Sequence, residues 1–149
     1  MSEAPQRDAK DARDAKSGVA GEITRGLVRL HTEYYGKGPT KARTYMVNDT
    51  VVCLLYGGFT TVEQTLIEEG NSEAVHDMRH SFQTAMEERF THVVQDATGR
   101  KVVAYLSQIH SSPDIAVELF VMEPAKKPVV LEHEQDLSEG DVAGEAKSD

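Results

Sequence analysis

One long amphipathic segment, residues 72–97, limits what this chain can fold into more than any other feature. Its apolar side chains recur in steps of three or four residues, which keeps them on one side of an α-helix. They are Val75, Met78, Phe82, Met86, Phe90, Val93 and Ala97. A helix of this length would measure about 39 Å, enough to cross a small β-sheet. The segment predicts a core-facing helix with Ser72 as its N-cap and a left-handed Gly99 at its end.

Two pairs of β-rich runs flank the helical part of the chain. Residues 41–47 and 50–56 favour strands, and the Asn-Asp pair at 48–49 tolerates the positive φ angles of a two-residue hairpin turn. Residues 102–109 and 115–122 have the same character and are separated by a turn-forming Ser-Ser-Pro-Asp run. These runs predict two hairpins and hence a four-stranded antiparallel sheet.

Two further helices complete the predicted order. Residues 19–35 show helical spacing of apolar residues, and Gly26 within this helix indicates that another element packs closely there. Thr60 and Glu63 have the spacing of a capping box, which starts a short helix before the long one. We therefore predict a single α+β domain in the order α-β-β-α-α-β-β, with a four-stranded antiparallel sheet covered by the long helix.

Composition divides the chain into a domain and two tails. Residues 1–17 are charged and Ala-rich, residues 18–124 carry the periodic patterns, and residues 125–149 are acidic, so we expect disordered tails around one domain. The net charge of the whole chain is −9, and the central part holds nine Lys or Arg against 14 Asp or Glu. A duplex-binding domain normally carries a basic stripe, so this balance argues against nucleic acid as a partner.

The single cysteine and the hydropathy bear on location. Cys53 cannot form an internal disulfide, and its apolar strand predicts a buried, inert thiol compatible with a reducing cytosol. No run of about 18 apolar residues occurs, and the N-terminus lacks the apolar segment of a signal peptide. We expect a soluble, cytoplasmic protein without direct membrane insertion.

Two groups of residues could bind a small ligand. His76 and His80 are four residues apart on one helix face, the spacing of a metal-binding pair, although their place on the polar side of the helix favours two solvated histidines. Lys37, Lys41 and Arg43 follow a Gly-rich helix end and could hold a phosphate or another small anion. A structural turn is the competing interpretation of this second group.

No motif for catalysis or for a cofactor rises above background. Cys53 has no evident His partner, and no serine stands in a Gly-x-Ser-x-Gly elbow. We therefore expect a non-enzymatic protein without a cofactor. The alternative is a small-anion-binding or metal-dependent enzyme that uses His76, His80 and Arg43.

The two faces of the predicted sheet are both largely apolar. The hairpin turn pairs Val47 with Thr50 and Ala42 with Leu55, which predicts that Val51, Cys53 and Leu55 face the helices together with Val117 and Leu119 of the last strand. The opposite surface would then comprise Tyr45, Val52, Leu54, Tyr56, Phe120 and Met122. Because such patches are rare in soluble monomers, either the first helix or a second copy must cover it, and we favour a homodimer.

Several short motifs together resemble one bacterial family. They are Tyr-Gly-Lys-Gly-Pro-Thr at 35–40, Gly-Phe-Thr-Thr-Val-Glu at 58–63, Thr-Gly-Arg-Lys-Val at 98–102 and Phe-Val-Met-Glu at 120–123. This pattern resembles the MpsC-like family, a domain of unknown function assigned to a Na⁺-translocating, membrane-potential-generating system. The resemblance implies an accessory partner of a membrane sodium or bicarbonate transporter subunit, and it implies no catalytic residues.

Overall fold

The structure is a computed structural model that describes residues 18–125 and 137–138. Its elements in chain order are α1 (Gly18–Tyr35), β1 (Lys41–Val47), β2 (Thr50–Tyr56), α2 (Thr61–Glu68), α3 (Ser72–Thr98), β3 (Val102–His110) and β4 (Ile115–Met122). The predicted α+β class and the order α-β-β-α-α-β-β are confirmed. The predicted tails, 1–17 and 125–149, lie almost entirely outside the described residues.

The four strands form one antiparallel sheet in the order β1-β2-β4-β3. The predicted register of the first hairpin is confirmed, from Val47 opposite Thr50 to Ala42 opposite Leu55. Asn48 occupies the turn with φ of 51°, a conformation that asparagine tolerates better than most residues. The second hairpin adds through β4 to β2, which leaves β1 and β3 as the edges.

The long helix α3 has the predicted extent but a different buried stripe. Its buried residues are Val75, Arg79, Gln83, Met86, Phe90 and Val94. Arg79 and Gln83 are thus buried where the sequence predicted only apolar residues. Of the predicted stripe, Met78 is 44% exposed, whereas Phe82, Val93 and Ala97 are partly buried and pack against the core. The predicted cap is also wrong, because Asn71 precedes the helix and its side chain makes no capping bond. Gly99 ends the helix in the left-handed conformation, as predicted.

All three helices pack on one side of the sheet, here called the covered face. Its buried sheet residues are Val51, Cys53, Leu55, Ile109, Glu118, Phe120 and Met122. The prediction that Phe120 and Met122 lie on the opposite surface is wrong, and so is the placement of Val117 and Leu119 in the core. The pairing of β2 with β4 sets Phe120 beside Val51, so the alternation along β4 is shifted by one residue from the prediction.

Helix α1 lies beside α3 on the covered face and does not fold over the other face. Ile23 and Leu27 join the main core cluster, and Thr24 Oγ1 lies 2.7 Å from Thr44 Oγ1 of β1. Gly26 has the close neighbour that the sequence indicated, since a Cβ there would lie 2.6 Å from a methyl of Val93. The apolar surface opposite the helices therefore stays uncovered within the described part of the chain.

Candidate functional site

The surface opposite the helices, here called the open face, is apolar across all four strands. Its apolar residues are Tyr45, Val47, Val52, Leu54, Tyr56, Leu106, Ile115, Val117, Leu119 and Val121. One row follows successive register pairs from edge to edge through Tyr45, Val52, Leu119 and Leu106. The two ends of this row, Tyr45 and Leu106, are 44% and 56% exposed.

The open face is comparable in area to the largest apolar patch on a typical monomer. With strands about 4.8 Å apart and about 3.3 Å per residue, four strands of seven residues project roughly 450 Å². The largest apolar patch on a typical monomer is about 300–600 Å² and is often functional. Four of the six predicted interface residues lie here, namely Tyr45, Val52, Leu54 and Tyr56. The open face is therefore the first candidate functional surface.

A second candidate region is the loop at residues 57–60, which joins β2 to α2 and is held by charged side chains from three other parts of the chain. Lys37 Nζ donates to the Phe59 carbonyl at 2.8 Å, and the Phe59 amide donates to Asp114 Oδ2 at 2.9 Å. Arg79 Nη2 donates to the Gly58 carbonyl at 3.1 Å. Each charged group thus bonds to a backbone group that has no partner in the backbone hydrogen bonds of the sheet or helices, and Gln64 Nε2 of α2 also donates to the Phe59 carbonyl at 3.2 Å.

Arg79 also forms a buried two-pronged ion pair. Its Nε and Nη2 donate to the Glu63 carboxylate at 2.5 and 2.7 Å, and both residues are almost fully buried. Glu63 completes the predicted capping box, since Oε1 accepts from the Thr60 amide while Thr60 Oγ1 accepts from the Glu63 amide. The Arg79 guanidinium lies 3.9 Å from the centre of the Tyr35 ring. One buried pair therefore connects α2, α3 and the end of α1.

The ionisation of this cluster follows from its geometry. Burial alone would raise the pKa of Glu63, but the hydrogen bonds from Arg79 and the Thr60 amide outweigh it and hold that pKa below its usual value. Burial would lower the pKa of Arg79, and its bonds to Glu63 hold it above its usual value instead. Burial raises the pKa of Tyr35 to about 12, against the opposing charge of Arg79. The pair is thus ionised and the phenol neutral at neutral pH.

A second buried carboxylate lies at the centre of the sheet. Glu118 is 1% exposed, accepts from the Tyr105 hydroxyl at 2.5 Å, and lies 3.5 Å from His31 Nε2. His31 Nδ1 lies 2.8 Å from the Leu27 carbonyl, which can only accept, so Nδ1 carries a proton. Burial and the nearby Glu118 charge both raise the pKa of Tyr105. The tyrosine therefore stays a hydrogen-bond donor to this carboxylate.

The space between these clusters is too small for an organic ligand. A cavity of about 10 Å³ lies among His31, Lys37, Arg79 and Asp114, which is room for about one water molecule. Its charged walls already bond to protein groups. The arrangement can fix a loop and hold a water, and it positions no exposed nucleophile. Cys53 is buried as predicted, and burial raises its thiol pKa to about 11.

The three basic residues predicted to bind an anion do not meet at one site. Lys37 is engaged by Phe59 on the covered side of the sheet. Lys41 lies over the Tyr56 ring at 5.2 Å, and Arg43 donates to the Tyr45 hydroxyl at 3.2 Å, both on the open face. The structure therefore separates Lys37 from Lys41 and Arg43, and the two latter residues border the apolar surface.

The predicted metal pair gains no third ligand. His76 is half-buried and His80 is exposed on α3. Within residues 18–125 and 137–138, no group of three or more His, Cys, Asp or Glu side chains is placed to hold a metal ion.

Among the helices that the structure describes, none combines the length and apolar composition of a membrane span.

Comparison with known proteins identifies the family. A family model described as "Na⁺-translocating membrane potential-generating system (MpsC)" matches residues 15–124, well over half of the chain. The chain belongs to this family. It is 33% identical over 98 residues to "Uncharacterized protein YrhF" of Bacillus subtilis (strain 168), which covers 64% of this chain and 80% of the relative. No solved structure matches the chain significantly.

The sequence did not predict the burial of the charged residues Glu118 and Arg79. Glu118 and Arg79 were both within apolar patterns, where a charge is more readily placed on the solvent side. The usable signal for Glu118 was that it is the only charged residue in the strand Ile115–Met122. For Arg79 the sequence offered no comparable signal, because its partner Glu63 lies on another helix.

Proposed function

We propose that this protein is a non-enzymatic accessory component of a Na⁺-translocating, membrane-potential-generating system, and that it acts by binding protein partners through its open face. The family description supports the first part of the proposal. The observation that carries the second part is the apolar row that runs across all four strands and is covered by none of the described helices.

The shape of the open face favours a protein partner over a small molecule. Small ligands bind in concave sites that enclose most of their surface, whereas a four-stranded sheet face is broad and shallow. The charged side chains beside the loop at 57–60 support the same conclusion, because Lys37, Arg79 and Asp114 are bonded to that loop and serve to hold it. The surface that would recognise a partner is therefore the open face of the sheet, together with its edge strands.

The first partner we assign to the open face is a second copy of the chain. A stable interface buries about 1,200 Å² or more in total, or about 600 Å² per partner. Because side chains protrude from the sheet, the accessible area of the open face exceeds its roughly 450 Å² projection. Two such faces therefore approach the area that a stable interface buries. Sheets pack face to face with their strands about 30° apart, and a twofold axis along the strands sets β1 of one copy against β3 of the other.

The charges of the open face are compatible with that pairing. Its basic residues, Lys41 and Arg43, are on the edge strand β1. The opposite edge strand β3 presents Gln108 and His110 at the corresponding register positions. In the proposed dimer the basic side chains of one copy face these polar groups of the other and not each other, which avoids like-charge contacts.

Sedimentation equilibrium tests the dimer. The wild-type protein should show a mass that rises with concentration from 16.4 kDa toward twice that value. Leu54→Asp places a charge in the centre of the open face and should give a monomer with an unchanged circular dichroism spectrum. Val62→Asp is the matched control, because Val62 is 70% exposed on α2 and lies outside the open face. A wild-type mass that stays at the monomer value at all concentrations rejects the dimer.

Capture from membranes of the native host tests the accessory role. Tagged wild-type protein should recover an identified ion-transport subunit, and Val62→Asp should recover it equally. Recovery of soluble enzymes alone counts against the role.

Metal analysis and thermal shift with zinc, phosphate and bicarbonate test the enzyme alternative. Stoichiometric metal that is lost on replacing His76 and His80 by Ala would overturn the non-enzymatic proposal.

A further inference from the structure

A buried histidine and a buried carboxylate face each other between α1 and the sheet. His31 of α1 is 5% exposed and Glu118 of β4 is 1% exposed. His31 Nε2 lies 3.5 Å from Glu118 Oε1, and Glu118 Oε2 accepts a hydrogen bond from the Tyr105 hydroxyl. This pair lies on the covered face, so it is separate from the surface of the proposed function.

The first proton of the His31 ring decides what the ring presents to Glu118. Nδ1 lies 2.8 Å from the Leu27 carbonyl and carries a proton, because a carbonyl can only accept. A neutral imidazole holds one proton, so Nε2 of a neutral His31 would present a lone pair to the carboxylate. Two acceptors facing each other at a site almost closed to water cost free energy. A second ring proton, on Nε2, removes this conflict.

The burial of Glu118 calls for a positive charge close to it. A buried carboxylate is costly unless it is both hydrogen-bonded and paired with an opposite charge. Tyr105 supplies a hydrogen bond but no charge. Among the residues that the structure describes, no Lys or Arg forms an ion pair with Glu118. His31 is the basic side chain that lies within ion-pair distance of this carboxylate.

The other titratable groups around the pair do not supply this charge. They are Tyr35 of α1, Cys53 of β2, Arg79 of α3, Tyr105 of β3, and Lys37 and Asp114 from the loops. Arg79 is paired with Glu63, while Lys37 and Asp114 bond to the loop at 57–60. Burial raises the pKa of both phenols and of the thiol, so these three groups are neutral at neutral pH. His31 is therefore the counter-charge that remains for Glu118.

We propose that His31 and Glu118 form a buried proton-binding site, in which a proton on His31 Nε2 makes an imidazolium–carboxylate pair that holds α1 on the sheet. The ligand of this site is a proton, so its occupancy depends on pH. Loss of the proton leaves a buried carboxylate without a counter-charge, which destabilises the packing of α1.

The direction of the pH effect follows from the proton count. In an unfolded chain a histidine is mostly neutral above about pH 6.5. Because the folded protein keeps the Nε2 proton in this range, it binds one more proton than the unfolded chain. The contribution of the pair to the free energy of unfolding is therefore complete below about pH 6.5 and is lost as the pH rises further.

Nuclear magnetic resonance of full-length protein with ¹⁵N-labelled histidine tests the site directly. Ring nitrogen shifts distinguish a protonated nitrogen from an unprotonated one, and His31→Gln identifies the His31 signals by their absence. We expect both nitrogens of His31 to carry protons at about pH 7.5, where an exposed histidine is mostly neutral. An unprotonated Nε2 at this pH would mean that a water bridges the two residues, and it overturns the proposal.

Glu118→Gln removes the charge of the carboxylate and keeps its shape. The new amide can accept from Tyr105 and donate to Nε2, so a neutral His31 fits this variant. His31 should therefore lose its Nε2 proton at about pH 7.5. Glu88→Gln, which neutralises an exposed carboxylate on α3, is the matched control and should leave His31 doubly protonated. A doubly protonated His31 in Glu118→Gln contradicts the assignment of Glu118 as its partner.

Urea denaturation at one protein concentration measures the link to folding. Between about pH 6.5 and 8, below the range in which an unfolded thiol ionises, the unfolding constant of the wild type should rise by up to tenfold per pH unit. Glu118→Gln should flatten this rise, and Glu88→Gln should retain it. A wild-type unfolding constant that does not change over this range also overturns the proposal. The wild-type measurements decide the matter even if Glu118→Gln fails to fold.

Discussion

The two faces of the sheet differ in a way that reverses the usual expectation. The covered face contains the buried carboxylate Glu118 and packs against helices that bring in the buried Arg79 and Glu63. The open face is apolar at its centre, with polar residues such as Lys41 and Gln108 on its edge strands, yet no described element lies over it. Judged by polarity alone, the covered face would be taken for the solvent-exposed side of the sheet and the open face for the buried side.

The difference teaches what each face needs. Buried charges are tolerated on the covered face because partners are supplied, with Arg79 for Glu63 and Tyr105 for Glu118. Apolar residues such as Leu54 and Leu119 on the open face have no such compensation within the described chain. Their exposure is the physical reason for assigning that face to a contact between molecules.

The largest expected effect comes from breaking the buried ion pair on the covered side. Arg79→Met leaves the Glu63 carboxylate buried without its main partner and should lower the free energy of unfolding by about 3–5 kcal/mol. Urea denaturation at neutral pH measures it. The double change Arg79→Met with Glu63→Gln should recover part of the loss. Arg89→Met, on the exposed side of α3, is the control, and a loss below about 1 kcal/mol for Arg79→Met would show that Glu63 is solvated.

Two neighbours in β4 compare the faces directly. Phe120 is fully buried on the covered face, so Phe120→Ala should cost about 3–5 kcal/mol of unfolding free energy. Leu119 points to the open face, so Leu119→Ala should cost about 1 kcal/mol or less in dilute monomeric protein. Thermal or urea unfolding measures both. If the cost of Leu119→Ala equals that of Phe120→Ala at low concentration, the open face is covered within the chain.

Acid should act on the covered side through Glu63. The folded protein lowers the pKa of this carboxyl, so the unfolded chain binds more protons in acid. The stabilising contribution of the Glu63 carboxylate is therefore complete above about pH 4.5 and declines as the pH falls through the lower pKa of the folded state. Urea denaturation from about pH 3 to 7 should show this slope. Glu63→Gln should flatten it, whereas Glu68→Gln, an exposed change on the same helix, should leave it in place. An unchanged slope in Glu63→Gln contradicts the assignment.

The smallest expected effect separates the cap from the ion pair. Thr60→Ala removes the side-chain oxygen that accepts from the Glu63 amide, at a cost of about 1 kcal/mol. Thr61→Ala changes the exposed first residue of α2 and should be close to neutral. Thermal unfolding compares the two. A cost for Thr60→Ala as large as that for Arg79→Met would mean that the cap also positions Glu63 for its ion pair.

Local sequence determined the elements of this protein. Hairpin register, helix order, the Thr60 and Glu63 capping box and the left-handed Gly99 depend on neighbours within a few residues, so periodicity and turn chemistry predict them. The close approach at Gly26 was also visible as a glycine within a helix. The sequence also predicted an apolar surface opposite the helices, and four of the six residues that it assigned to this surface lie on the open face.

Only the tertiary structure decided which sides of these elements are buried. Both faces of β4 are apolar, so alternation could not choose between Leu119 and Phe120, and the pairing with β2 made the choice. Likewise Arg79 and Gln83 take buried positions on α3 because groups distant in sequence, such as Glu63, surround that side. Periodicity reports spacing along one element, whereas the burial of a charge depends on partners that only the folded chain brings together.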